Sequence, residues 1–205
     1  MKKFLIQKQN NNLTLSKAKD YELIATCYHE AGHVVLGILN LIKTKTVTVN
    51  VSGNIGGSTL TLFHVPSRHT TNDVKNILLA SRLYMLFAGT VAESIYYKDI
   101  CGAELPPHLK IGAKFDLMMI NKIISKFKLA SPGKPRKKLK LVLKNKTNSL
   151  LKNHWFEVRS LAHLLYSKRT LIFEDIKKLL INIPGRKAYW QTHLIAVEEL
   201  FPGGK

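Results

Sequence analysis

Residues 27–37 read CYHEAGHVVLG, and the interpretation of the whole chain begins with this stretch. Two histidines, His29 and His33, stand four positions apart, and Glu30 follows the first of them. On an α-helix, side chains at positions i and i+4 lie on the same face, so both imidazole rings can reach one metal ion. Glu30 is turned about 100° around the helix from His29, where its carboxylate can approach a water beside the ion.

Apolar residues at helical spacing predict a helix around this motif, from near Ser16 or Asp20 to about Leu41. His29 and His33 fall on the side of this helix opposite the apolar stripe, at about 100° per residue. A histidine pair packed in the core would lie on the stripe, so the pattern favours a zinc site over ordinary packing, with exposed helical histidines as the alternative. The stripe is formed by Ile24, Cys27, Ala31, Val34, Val35 and Ile38.

The composition indicates a globular chain in a reducing compartment. With 205 residues and a hydrophobic share of 45%, the chain can form one domain with a core, or one domain and an appendage. No uninterrupted apolar run reaches the length of about 18 residues that a membrane span needs, and the N-terminus lacks a secretory h-region. The two cysteines are too few for a disulfide framework. We therefore expect a cytoplasmic protein without a transmembrane segment, in which Cys27 is a buried hydrophobe.

The net charge of +19 is concentrated in one part of the chain. No Asp or Glu occurs from Leu117 to Phe156. A solvated, lysine-rich surface is the simpler interpretation, and binding of nucleic acid or another anionic surface through segment 134–152 is the alternative. No aromatic stacking set accompanies the cations. They are Lys134, Arg136, Lys137, Lys138, Lys140, Lys144, Lys146 and Lys152.

The remaining pattern predicts a mainly α fold with a small β-hairpin, an α+β arrangement. TVTVNV (46–51) and STLTLF (58–63) alternate apolar and polar residues around the turn sequence SGNIGG, which predicts the hairpin. Thr70 or Thr71 can cap the helix that follows. SPGKP (131–135) is the clearest break in the chain. Helices are predicted at about 72–97, 113–129, 150–167 and 173–182.

A third metal ligand must come from outside the first helix. The variant HExxHxxGxxH is excluded because position 39 is leucine. Carboxylates within later predicted helices are the candidates, namely Glu93 in FAGTVAES and Asp116 in IGAKFDL. Asp99 and Glu104 lie in a predicted loop and are weaker candidates.

The motifs HEAGHVVLG, FAGTVAES and GAKFDL, in this order, resemble the peptidase domain of the FtsH-type membrane proteases over roughly residues 20–182. The resemblance implies a zincin-like helical metalloprotease domain with one Zn²⁺ per chain. It implies His29, His33 and Asp116 as zinc ligands and Glu30 as the catalytic acid and base. Glu93 is then the alternative third ligand, or a carboxylate that orients a histidine. The alternative for Asp116 is a charge favoured by a helix N-terminus.

The chain departs from the family pattern in two motifs. Thr90 and Ser94 replace an arginine and a second glutamate of the family, and Ile111 with Lys114-Phe115 replaces small or polar residues. The ATPase module and membrane helices that precede the family's peptidase domain are not in this sequence, which also has no phosphate-binding loop. We therefore expect ATP-independent cleavage of unfolded or flexible proteins, or cooperation with a separate unfoldase. A substrate peptide could pair with the edge of the hairpin, on either strand.

The expected organisation is a flexible arm over 1–16, a peptidase domain over 17–183 with a possible internal break at 131–137, and a tail over 184–205. The predicted function is a zinc-dependent endopeptidase acting on protein or peptide substrates. A zinc-binding regulatory protein that cleaves little, and a basic nucleic-acid-associated protein, are the alternatives.

Overall fold

A computed structural model describes the backbone of residues 2–50, 55–63, 71–100, 102 and 111–200, and the side chains of these residues except 2–19, 100 and 111–113. The described chain is mainly helical with one small antiparallel sheet, which confirms the predicted fold class. A π-helical turn, Tyr96–Ile100, follows the second helix. The helices are α1 (Lys2–Leu39), α2 (Asn72–Ile95), α3 (Ile111–Lys126), α4 (Lys134–Asn153), α5 (Trp155–Lys168), α6 (Phe173–Ile181) and α7 (Lys187–Leu200). The strands are β1 (Lys43–Asn50), β2 (Gly56–Leu62) and β3 (Thr170–Ile172).

The helix α1 carries the HEAGH motif through the middle of the core. Every residue from Cys27 to Ile38 is buried, because α2, α5 and the sheet enclose the helix. The predicted start at Ser16 or Asp20, after an arm over 1–16, was wrong, since helical backbone begins at Lys2. No glycine or proline occurs between Lys2 and Ala31, so no residue in that range opposes helix propagation strongly.

The sheet has the order β2-β1-β3, with β1 in the centre. β1 and β2 pair antiparallel from Lys43↔Leu62 to Asn50↔Gly56, which confirms the hairpin. Val47 and Val49 face the core, as the alternation predicted, whereas Val51 and the turn residues 52–54 lie outside the described chain. β3 was not predicted, because a three-residue strand is too short to show a period of two.

The helix α2 is more apolar than the sequence analysis recognised. Together with most of the π-helical turn it forms a helix, Asn72–Asp99, that could cross a membrane by length and composition alone. The expectation of no transmembrane segment rested on uninterrupted apolar runs, which Arg82 and Glu93 break in this helix. In the fold, 61% of its most apolar window is buried, so the apolar residues pack as those of a core helix do. Thr71 stands at the N-cap without a side-chain capping bond, and Thr70 lies outside the described chain.

The basic segment forms helix α4. Only its last residues, from about position 150, were predicted to be helical. Gly133 adopts φ 82° at the N-cap of α4 and Pro135 follows in the first turn, so SPGKP separates α3 from α4 as expected. Leu143, Thr147 and Leu151 bury one side of α4 against the core. Lysine is a good helix former, and these three contacts at i, i+4 and i+8 supply the tertiary support.

The predicted tail over 184–205 is wrong for residues 187–200, which form α7. Trp190, Leu194 and Val197 are buried at helical spacing, a pattern that the sequence contains but that was overlooked. The buried Glu157 of α5 accepts hydrogen bonds from Arg186 Nη1 at 2.9 Å and from Trp190 Nε1 at 3.3 Å. These bonds hold α7 and the turn before it against the core. Pro202, Gly203 and Gly204 lie outside the described chain.

The Glu157 contacts predict an acid-sensitive contribution to stability. Burial raises the pKa of this carboxyl, but hydrogen bonding to His154 and the charge of Arg186 outweigh burial and hold the pKa below its usual value of 4.5. A depressed folded-state pKa contributes stability that is present above the unfolded-state pKa and is lost as pH falls through the folded-state pKa. Relative to Glu157→Gln, the wild type should therefore have a higher Tm at neutral pH, and the difference should shrink below pH 4.5. Thermal melts across pH test this, with the exposed Glu199→Gln as control. A difference that stays constant with pH would contradict the assignment.

Candidate metal centre

Two histidines of α1 and one aspartate of α3 converge inside the fold. Asp116 Oδ2 lies 3.1 Å from His29 Nε2 and 3.2 Å from His33 Nε2. One donor atom from each of the three side chains lies within 4.8 Å of the other two, and all three residues are buried. The sequence could place the histidines on one helix face, but only the fold brings α3 against them.

The second nitrogen of each histidine has a partner of its own. His29 Nδ1 lies 3.2 Å from Glu93 Oε2, and His33 Nδ1 donates to the carbonyl oxygen of Met85 at 2.8 Å. A proton on each Nδ1 leaves the Nε2 lone pairs free to bind a metal. Glu93 therefore lies where an orienting carboxylate would, behind His29, whereas Asp116 lies beside both Nε2 atoms.

Small residues allow α2 to approach the histidines. A Cβ atom at Gly89 would lie closer than 3.0 Å to Nε2 of both His29 and His33. On the facing helix, a Cβ atom at Gly32 would collide with the backbone of Ala88 and the side chain of Ala92. The space beside the Nε2 atoms therefore depends on glycine at position 89.

Glu30 lies under the second strand of the hairpin. Thr59 Oγ1 of β2 donates a hydrogen bond to Glu30 Oε2, and a Cβ atom at Gly57 would collide with the Glu30 side chain. The Glu30 side chain is one residue around the helix from His29, so its carboxylate stands beside the cluster. Glu30 is 5% exposed, so β2 controls solvent access to it.

The donor set fits zinc. Two imidazole nitrogens and one carboxylate oxygen form a three-ligand set that leaves a fourth position of a tetrahedron open, as in catalytic zinc sites. Burial lowers the pKa of His29, but hydrogen bonds with Asp116 and Glu93 outweigh burial and raise it to about 10. Burial raises the pKa of Asp116, but the bonds with His29 and His33 hold it well below its usual range. The buried negative charge favours a cation between the three side chains, and a metal would displace protons from the histidines.

The structure separates the other sequence candidates from this cluster. Asp99 is exposed on the π-helical turn and does not join the cluster, and Glu104 lies outside the described chain, as does Cys101. Cys27 is buried, as expected, and burial raises its thiol pKa to about 12.

Among the residues that depart from the family pattern, those with described side chains do not belong to the cluster. Lys114 and Phe115 are exposed, and Ser94 Oγ donates to the carbonyl oxygen of Thr90 at 2.8 Å, so these two polar residues pair within α2. The side chain of Ile111 is not described. Sequence reasoning missed the Thr59 bond, although the position of this residue in the alternating strand could have pointed to it.

A mainly helical fold in which a HEAGH helix and a later helix form a buried His-His-Asp cluster places the chain in the class of helical metallopeptidase domains. The chain belongs to Peptidase family M41, whose profile matches residues 15–128 and therefore more than half of the sequence. This match confirms the resemblance to FtsH-type peptidase domains.

Relatives of the chain include named ATP-dependent zinc metalloproteases. The chain is 27% identical over 175 residues to FtsH 3 of Phytoplasma mali (strain AT), an alignment that covers 76% of the chain and 27% of the relative. It is 38% identical over 78 residues to FtsH of Mesomycoplasma conjunctivae, which covers 37% of the chain and 10% of that relative. The chain thus spans about a quarter of the length of the Phytoplasma relative.

Replacing each candidate carboxylate should identify the third ligand. Asp116→Ala removes an oxygen beside both Nε2 atoms, so we expect loss of bound zinc. Glu93→Gln retains a hydrogen-bond acceptor behind His29, so zinc should still bind, with about 10–100-fold lower affinity. Zinc titration with a chromophoric chelator measures the zinc affinity of both variants, and circular dichroism checks that both are folded. Zinc retained by Asp116→Ala but lost from Glu93→Gln would reverse the assignment.

Gly89→Ala tests the close approach of α2. The added methyl group would lie against both Nε2 atoms, so we expect zinc binding to be lost or weakened at least tenfold while the helical content is kept. Gly37→Ala on α1 is the matched control, because a Cβ atom there meets its nearest neighbour at 3.6 Å, an ordinary contact. Equal zinc affinities for the two variants would contradict the role of Gly89.

Proposed function

We propose that the chain is a zinc-dependent endopeptidase in which His29, His33 and Asp116 hold the metal and Glu30 acts as acid and base. The convergence of the two Nε2 atoms and Asp116 Oδ2 within 4.8 Å carries this proposal. Membership of Peptidase family M41 supports peptide-bond hydrolysis as the reaction. Zinc at this position would polarise the substrate carbonyl and make a water acidic at neutral pH.

Glu30 moves the proton in the proposed reaction. Its carboxylate takes a proton from the attacking water as the new carbon–oxygen bond forms. The protonated carboxyl then gives this proton to the amine nitrogen as the carbon–nitrogen bond breaks, and Glu30 is regenerated as a carboxylate. Thr59 donates to Oε2 and Gly57 lies against the rest of the Glu30 side chain, so β2 orients the carboxylate and must shift before the water reaches it.

Strand β2 is the proposed docking edge for the substrate. Among the described strands β1 is central, with β2 along its length on one side and the short β3 beside residues 46–48 on the other, so β2 is the longer of the two edge strands. Thr59 on β2 touches Glu30, so a peptide paired with this edge would run beside the metal. Leu60, the next residue, is 58% exposed and lies on the opposite face. The edge favours extended, unfolded substrates, because only an extended backbone can pair along it.

The source of unfolded substrate is a separate part of the proposal. The relatives are named ATP-dependent, and the aligned segment is about a quarter of the length of the Phytoplasma relative and a tenth of that of the Mesomycoplasma relative. We propose that the described domain cleaves flexible chains without ATP and accepts folded proteins only when a separate ATP-dependent unfoldase supplies them. A cytoplasmic location would provide such substrates.

A second candidate is a zinc-binding regulatory protein that cleaves little. The observation that favours it is the cover over Glu30, which is 5% exposed and hydrogen-bonded to Thr59. A carboxylate held in this way can act only if β2 shifts when a substrate binds.

Glu30→Gln separates the two candidates. Glutamine keeps the shape of the side chain but cannot accept the proton, so we expect zinc content to be unchanged and casein cleavage to fall by at least about a hundredfold. Purified zinc-loaded wild type and Asp20→Asn, an exposed change on the same helix, should both cleave unfolded casein. Zinc-loaded wild type that leaves unfolded casein intact would overturn the endopeptidase and favour the regulatory protein.

A further inference from the structure

The outer side of α4 is a basic surface with an apolar centre. Five exposed lysines and two exposed apolar residues of this side, called here the α4 basic face, lie within about 27 Å along the helix axis. The apolar pair is Leu141, 59% exposed, and Val142, 55% exposed. The face consists of Lys134, Lys137, Lys138, Leu141, Val142, Lys144 and Lys152.

The charge of this face is not neutralised within the described chain. No described ion pair involves a lysine of α4, whereas Lys168, Lys177 and Arg186 elsewhere each pair with a carboxylate. The nearest acidic residues along the chain are Asp116 and Glu157, both buried and engaged in other contacts. The α4 basic face is therefore free to bind an anionic partner.

The apolar pair distinguishes among anionic partners. Lys137, Lys138 and Lys144 lie two to five positions along the helix from Leu141 and Val142, which is less than one and a half turns. Anionic phospholipid headgroups can neutralise the lysines while the hydrocarbon behind them accepts the two apolar side chains. A nucleic acid would accept the lysines but would leave the aliphatic pair against phosphates or water, and no aromatic side chain on this face could stack on a base.

The α4 basic face points away from the candidate metal centre. Lys146 Nζ of α4 lies 5.5 Å from the ring centre of Tyr84 on α2. Tyr84 precedes Gly89, which contacts the histidines, by five residues, or about 140° around the helix. Because α2 stands between α4 and the histidines, a flat partner on the outer side of α4 would leave the metal centre uncovered.

We propose that the α4 basic face binds the surface of an anionic lipid bilayer, with Leu141 and Val142 inserted among the headgroups. Each lysine near such a surface contributes about 1 kcal/mol, or about fivefold, to partitioning, so the five lysines together suffice for reversible binding. The function of the face is to hold the domain at a membrane surface. The proposal does not depend on peptidase activity.

Vesicle sedimentation tests the proposal with the full chain. We expect binding to vesicles of equal parts phosphatidylcholine and phosphatidylglycerol, and none to phosphatidylcholine alone. Lys137→Gln/Lys138→Gln/Lys144→Gln should lower partitioning by about a hundredfold. The matched control is Arg159→Gln/Lys178→Gln/Lys187→Gln, which removes the same charge from exposed positions on α5, α6 and α7 and should bind nearly as the wild type does.

A second variant distinguishes binding to a lipid surface from binding to nucleic acid. Leu141→Asn/Val142→Thr keeps every lysine, so it should bind anionic vesicles at least several-fold more weakly and bind duplex DNA no differently from the wild type. Thermal melts confirm that each variant is folded. An equal loss of vesicle binding in both triple variants would mean that net charge alone drives binding. This result would overturn the assignment to α4. Tighter binding to DNA or RNA than to anionic vesicles, unaffected by the Leu141 and Val142 changes, would replace the lipid with a nucleic acid.

Discussion

The helices α1 and α2 cross so closely that their glycines decide the geometry of the candidate metal centre. Gly32 lets α1 reach the backbone of Ala88, and Gly89 lets α2 reach both histidine rings. Because the helices lie this close, Glu93 and the Met85 carbonyl, both on α2, contact the Nδ1 atoms of the two histidines. One helix thus supplies the space, the orienting contacts and part of the wall of the site. Wider packing would leave two buried imidazoles without partners, at a cost of about 1–3 kcal/mol each.

The site and the sheet are coupled through Glu30. β3 occupies one side of β1, so β2 takes the other, and Thr59 then falls over the carboxylate. The same strand presents an open edge to the outside. A substrate bound at this edge, as proposed, would therefore lie next to Glu30, the proposed acid and base. Strand β3 stands between α5 and α6, so the C-terminal helices, including α7, contribute indirectly to the position of β2.

The two sides of α2 have different roles. One side, at Gly89, faces the histidines, and the other, at Tyr84, faces α4 and the second hydrophobic cluster, which contains Leu79, Leu83 and Leu143. Burial on both sides explains why α2 is apolar enough to resemble a membrane span. The helix α2 also stands between the candidate metal centre and α4, so a partner bound to the α4 basic face need not cover the candidate metal centre.

The local features of the fold could be predicted from the order of the residues. Residue spacing was enough to put His29 and His33 on one helix face and Val47 and Val49 on one face of a hairpin, because these patterns depend on neighbours within a few residues. The family resemblance nominated Asp116 as a ligand, whereas residue spacing alone left Glu93 as a candidate too. The sequence did not reveal β3, because a three-residue strand has no measurable period. Nor did it reveal α7 or the helix over the basic segment, because polar helices become stable only when one side is buried. Only the tertiary structure decided that Asp116 lies beside both Nε2 atoms while Glu93 lies behind His29. Contacts between residues more than 60 positions apart depend on how the helices pack, and the packing of α2 on α1 depends on the absence of a side chain at Gly89.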